Sequence, residues 1–192
     1  MASAANAHQP TLILLSGYAR AGKDTFARGI EEQAYNVMTT SVAYGLKEIS
    51  DDYMAGLGLQ DDSMTMSFFN ETFKSKYREF LVAGGRFARS INKDVFIDQL
   101  IERIAPVKNM DVVVTDWRYL NEINKVREMM TDWRIITVYI ETLGNFASNE
   151  EEALSIAEMR RAMACDYEFY FAPNSEKAIV KTGRDFAREL SL

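Results

Sequence analysis

Short unbroken apolar runs alternate along this chain with longer stretches in which apolar residues recur every three to four positions. Residues 11–15 (TLILL) form the first run, and four or five consecutive apolar residues mark a strand buried on both faces of a parallel sheet. A glycine-containing loop follows, and then a stretch at 23–34 that sets Phe26 and Ile30 four apart, the spacing of one helix face. A weak strand is expected at 38–43, and helices at 45–56, 63–82 and 93–104, with Gly84-Gly85 ending or bending a helix. The second strong strand is 111–115 (DVVVT), followed by a helix at 119–130. A third strand covers 134–140 (RIITVYI), and the polar, acidic residues 144–152 read as the start of a mobile loop. A helix at 152–163, a strand at 167–171 and a helix at 176–190 complete the pattern. Strands separated by helices predict an α/β fold, a doubly wound parallel sheet with helices on both faces.

A length of 192 residues fits one domain. Its core is expected from 11–44 and 105–192, with a helical insertion at 45–104 and a short lid at 141–161. Eleven Phe, nine Tyr and two Trp supply the bulk for a real core. No stretch approaches the roughly 18 to 20 apolar residues that cross a bilayer. The first ten residues, MASAANAHQP, lack the basic and apolar regions of a signal peptide, so a cytoplasmic protein with no membrane partner is expected. Cys165 is the single cysteine, which excludes an intrachain disulfide and fits a reducing compartment.

A net charge of −6 argues against nucleic acid as the main partner, because duplex binders carry a basic face. The basic residues are unevenly spread. Between 74 and 93 stand Lys74, Lys76, Arg78, Arg86, Arg89 and Lys93, against Glu79 alone. That clustering suits a small polyanionic ligand, and equally a solvated helix face.

The chemistry concentrates in Ser16-Gly17-Tyr18-Ala19-Arg20-Ala21-Gly22-Lys23-Asp24-Thr25, which matches G-x-x-x-x-G-K between a strand and a helix. Gly17 and Gly22 permit a tight turn whose successive N–H groups converge on one phosphate. The helix beginning near Lys23 aims its positive end at the same point. Lys23 is placed to bridge the β- and γ-phosphates of ATP. Asp24 stands where Ser or Thr is usual. A carboxylate beside a triphosphate is repulsive unless a cation intervenes, so Asp24 is expected to hold Mg²⁺, directly or through water, and Thr25 to hydrogen-bond a phosphate oxygen.

After the strand DVVVT come Asp116, Trp117 and Arg118, then Glu122. Ligands of open α/β sheets lie at the carboxyl ends of the strands, so Asp116 is a second candidate for Mg²⁺. Its competing role is to cap the following helix. Arg118 is suited to bidentate contact with a phosphate.

The phosphate loop GYARAGKDT, the segment VAYGLKE at 42–48, the stretch from Arg78 to Arg89 and VVVTDWRYLNE at 112–122 together resemble the phage-type deoxynucleoside monophosphate kinases, within the wider P-loop nucleotide kinases. The resemblance spans roughly 11–180. It implies ATP-dependent phosphorylation of a deoxynucleoside monophosphate. It assigns Gly17, Ala19, Arg20, Ala21, Gly22, Lys23, Asp24 and Thr25 to ATP. Lys47, Arg78 and Arg89 would clamp the acceptor's phosphate, with Arg118 and Glu122 in the final motif. Lys23, Asp116 and Arg118 would be the catalytic set. Tyr44 and Trp117 are candidates to stack on an acceptor base, as is Phe87.

The departures are Gly45 in place of the Pro before Leu-Lys, VAGGR at 82–86 in place of Q-x-x-G-T, and Glu141 where an Arg is expected. Arg160 and Arg161 then become the candidate lid arginines. The acceptor's phosphate oxygen is already anionic, so no protein base is required, in keeping with a chain whose one histidine, His8, lies in the tail. The alternatives are a kinase for another phosphorylated acceptor, such as phosphomevalonate or dephospho-CoA, and a nucleotide-binding regulatory protein without transfer. A homodimer is left open.

Overall fold

The computed structural model describes residues 9–59 and 66–192. The tail bearing His8, and residues 63–65 of the expected third helix, lie outside these. The chain forms two compact units, one of residues 9–41 with Ile101–Leu192 and the other Val42–Leu100.

The first unit is built on five parallel strands in the order β2-β3-β1-β4-β5. In chain order these are β1 (Thr11–Ser16), β2 (Val37–Thr40), β3 (Asp111–Val114), β4 (Arg134–Thr142) and β5 (Tyr167–Phe171). Its helices are α1 (Lys23–Gln33), α6 (Leu120–Met129), α7 (Glu150–Arg161) and α8 (Glu176–Leu190). The sequence thus winds outward from central β1 to edge strand β2, returns through β3 and crosses β1 to reach β4, so the switch point lies at the carboxyl end of β1.

Every residue of β1 is buried, as the unbroken apolar run requires. Alternation then divides the strands between two faces. Ile13 and Leu15, with Val113, Ile136, Val138 and Ile140, pack under Phe26 and Ile30 of α1 and Ile179, Phe186 and Leu190 of α8. On the other face Ser16 donates to the sulfur of Met159 in α7, and α7 lies against α6.

Helices α1 and α8 touch backbone to backbone. A β-carbon on Gly29 would fall 2.3 Å from the carbonyl oxygen of Val180, and one on Gly183 equally close to that of Phe26. This contact fixes the helix whose first turn follows the phosphate loop. Gly29→Ala is therefore expected to destabilise the protein by about 1–3 kcal/mol through overpacking. Thermal unfolding checks this, with a fall in Tm of roughly 3–10 °C.

The second unit carries α2 (Tyr44–Gly56), α3 (Glu71–Lys76), α4 (Arg78–Ile91) and most of α5 (Val95–Ile104). Asp51 of α2 accepts from the Ser67 hydroxyl at 2.6 Å and the Phe68 N–H at 2.8 Å, which seats Phe68 between the rings of Phe73 and Phe80.

Here the sequence reading needs correction. The single helix expected at 63–82 is α3 and α4, separated at Tyr77, and Gly84-Gly85 lies inside α4. Two local effects displaced it. Asn70 caps the N–H groups of Thr72 and Phe73 and starts α3 there. The paired glycines, each unfavourable in a helix by about 1 kcal/mol, give Leu46 of α2 a seat, its methyl carbons 3.4–3.6 Å from where their β-carbons would be.

Candidate functional site

Between β1 and α1 the chain turns through three left-handed or otherwise glycine-favouring positions, Gly17 (φ 143°), Arg20 (φ 64°) and Gly22 (φ 93°). Gly17 has no alternative, because a β-carbon there would sit 2.0 Å from the carbonyl oxygen of Ile140. The turn closes with the Ala21 N–H donating to Tyr18 O, and α1 begins when the Phe26 N–H donates to Gly22 O. No side chain caps α1. Its first N–H groups, at Lys23, Asp24 and Thr25, therefore form the positive end of the helix dipole without an internal anion.

Lys23 lies back along the loop, its ammonium donating to the carbonyls of Gly17 and Tyr18 at 2.8 Å each. Burial and then the neighbouring Arg118 pull its pKa down to about 8, although Asp24, Glu152 and Asp116 act in the opposite sense. Two cations close enough to repel each other beside an uncapped helix start form a site for an anion.

Arg118 follows the end of β3. Its N–H and that of Tyr119 both donate to Oε2 of Glu122, at 3.0 and 3.1 Å, so the Glu122 side chain reaches back to cap the start of α6. Glu122 is 3% exposed, and its carboxylate organises the Arg118 backbone; the acceptor contact expected of it is corrected accordingly. Trp117 also departs from expectation. It is 1% exposed and donates its indole N–H to Tyr119 O at 2.9 Å, so it belongs to the core and presents no ring to a base.

The segment after β4 holds the loop from behind. Asn145 donates its amide to Ala19 O at 2.7 Å, and the Thr142 hydroxyl donates to Ala21 O at 3.1 Å. The Ala19 N–H donates to Oε1 of Glu152 at 3.0 Å. Both backbone groups of Ala19 are thus engaged, and they anchor the loop. The sequence shows 144–152 as polar and acidic and gives no sign that Glu152 would be buried; its spacing after Asn149, which accepts the Glu152 N–H, marks only the start of α7.

Asp24 and Arg20 are exposed, and Asp116 is half-buried at the end of β3. Among the described residues no group of three or more His, Cys, Asp or Glu could enclose a metal. Mg²⁺ commonly takes one or two carboxylates and completes its shell with water and phosphate oxygens, so the pair Asp24 and Asp116 fits that donor set. Arg160 pairs with Glu141 at 3.6 Å, reaches the Tyr170 hydroxyl at 3.2 Å and lies over the Tyr139 ring. Glu141, unexpected in the sequence, is thus its partner on β4. Arg161 is exposed. In the helical unit, Lys47 lies over the Phe69 ring at 5.6 Å, and Tyr44 packs on the same ring. Arg89 covers Phe96 at 4.8 Å, and Arg78 is exposed on the first turn of α4. Among the described residues no helix is long and apolar enough to cross a membrane.

No family model and no curated protein matches the chain. Several solved structures resemble it along almost its whole length. The TT1252 protein of Thermus thermophilus is 13% identical, with a TM-score of 0.48, over 96% of this chain and 98% of that one. Shikimate kinase from Bacteroides thetaiotaomicron is 13% identical, with a TM-score of 0.43, over 94% and 98%. A sugar kinase from Janibacter sp. HTCC2649 is 7% identical, with a TM-score of 0.40, over 93% and 95%. At these scores the similarities do not bear on activity.

Proposed function

We propose that this protein is a magnesium-dependent P-loop kinase that transfers the γ-phosphoryl group of ATP to a deoxynucleoside monophosphate. The observation that carries the reading is the uncapped start of α1 with Lys23 lying across the loop and Arg118 beside it. A triphosphate placed there would receive the N–H groups of Lys23, Asp24 and Thr25. Lys23 would leave its two carbonyls for the phosphates, and Arg118 would face the transferred group.

Asp24 and Asp116 would hold Mg²⁺, which would supply neutralisation of the phosphate charge. The chain's own contribution is alignment and positive charge. The acceptor's phosphate oxygen attacks as the anion it already is, so no side chain has to remove a proton. The choice of acceptor rests on the sequence resemblance, which assigns its phosphate to Lys47, Arg78 and Arg89 and its base to the neighbourhood of Tyr44.

A coupled ADP-release assay with ATP, Mg²⁺ and a panel of acceptors tests the proposal. Turnover is expected with one or more of dAMP, dGMP, dCMP and dTMP, above that with the matching ribonucleotides. Turnover confined to phosphomevalonate or dephospho-CoA would keep the kinase and replace the acceptor. Tight ATP binding with no turnover on any acceptor would replace transfer by a regulatory role.

A further inference from the structure

Glu152 stands out among the buried charged side chains, because it belongs to none of the motifs and yet touches two of them. Its side chain is 1% exposed. Oε1 accepts the Ala19 N–H at 3.0 Å and lies 3.5 Å from a terminal nitrogen of Arg118. Oε2 accepts the Ser148 N–H at 2.7 Å. A buried carboxylate costs several kcal/mol unless paired and hydrogen-bonded, and here every partner is either part of the candidate site or the segment that anchors it. Burial would raise the Glu152 carboxyl, but the Ser148 N–H, the Arg118 guanidinium and the Ala19 N–H outweigh it and hold it ionised below its ordinary range.

The Arg118 guanidinium has five N–H donors, and its side chain is about one-third exposed. An ion pair at 3.5 Å through one nitrogen fixes its direction and leaves donors for a ligand. We propose that Glu152 is a positioning residue that locks the Arg118 guanidinium to the Ala19 peptide, so that the arginine and the phosphate loop present a single fixed array to the γ-phosphate. The proposal rests on the kinase reading above for its chemistry, while the coupling itself concerns nucleotide binding as well as transfer. Tyr119, next to Arg118, also donates its hydroxyl to Glu151, so two successive carboxylates of α7 hold the two residues that follow Trp117.

A double-mutant cycle between Glu152 and Arg118 tests this. Glu152→Gln is expected to lower kcat roughly 10–100-fold, as loss of alignment does, and to weaken ATP binding by a smaller factor of about three to ten. In an Arg118→Met background the same substitution is expected to change kcat by less than about twofold, because the group being aimed is gone. An equal loss in both backgrounds would show a merely structural role and overturn the proposal. Where Glu152→Gln does not fold, Glu152→Asp keeps the charge but withdraws it by one methylene, and the same non-additivity is expected. If no acceptor supports turnover, the kinase reading fails on its own. The cycle is then read on the Kd for MgATP by calorimetry, where non-additivity supports the coupling and additivity overturns it.

Discussion

Replacing Lys23 by methionine is expected to lower transfer by about 10²–10³-fold or more, with the fold intact. Methionine keeps the unbranched apolar stem and removes only the ammonium. That ammonium is held against its preference, since burial and Arg118 lower its pKa to about 8. The sign follows directly. The unfolded chain, with an ordinary lysine, binds more protons than the fold between the two pKa values. Lys23's contribution to stability therefore rises with pH from about 8 toward the unfolded value of 10.5, and it is unfavourable below that window. Loss of the charge should thus offset the loss of the hydrogen bonds to Gly17 and Tyr18, leaving Tm at pH 7 within a few degrees. Nucleotide reverses the balance, because its phosphates favour the charged lysine. ATP binding at pH 8.5 is expected to take up as much as roughly 0.75 proton in the native protein and almost none in the Lys23→Met variant. Calorimetry in buffers of differing ionisation enthalpy measures both. Uptake that survives the substitution would assign the shifted proton elsewhere.

How far the sequence alone reveals this site depends on the range of the forces involved. The phosphate loop is local. Gly17, Gly22 and Lys23 lie within seven residues, and the strand before them is a continuous apolar run, so geometry and chemistry are written in one short segment. The parallel sheet is legible for the same reason, because TLILL, DVVVT and residues 136–140 of RIITVYI are buried on both faces. The alternation of strands and helices also survives intact in the structure.

What was not legible depends on partners distant in sequence. Glu152 reads as one of three consecutive acids at 150–152, and only the fold brings its carboxylate to an N–H 133 residues away. Trp117 reads as a candidate ring for a ligand, but tertiary packing buries it. Glu122 reads as a ligand contact and acts on the backbone four residues before it. Gly84-Gly85 reads as a break, since intrinsic propensity says so, but packing against Leu46 keeps the helix going. For Trp117 and the paired glycines, packing outweighed the local preference; for Glu152 and Glu122, hydrogen bonds from backbone N–H groups offset the cost of burying a carboxylate.

The same long-range organisation gives the second large effect. Arg118→Met is expected to lower kcat by about a thousandfold on the proposed reading, the low end of what a phosphate-facing arginine supplies. Arg118→Lys is expected to recover only a small part of this. Lysine carries the charge, but a point ammonium cannot pair with Glu152 through one nitrogen while offering a planar pair of donors to a phosphate. The backbone at 118 is held through its N–H by Glu122, so neither substitution should disturb α6. Arg118→Met leaves the buried Glu152 carboxylate without its cation and is expected to lower the melting temperature, whereas Arg118→Lys keeps a cation there and stays closer to the native value. A second readout separates this from simple loss of positive charge. Arg118 is the second cause lowering the Lys23 pKa, so its removal should raise that pKa and move the proton uptake on ATP binding to higher pH, while in Arg118→Lys the uptake stays near its native position. A lysine variant with full activity would mean that charge alone suffices at this position, and the fixed direction of the guanidinium would have no part in transfer.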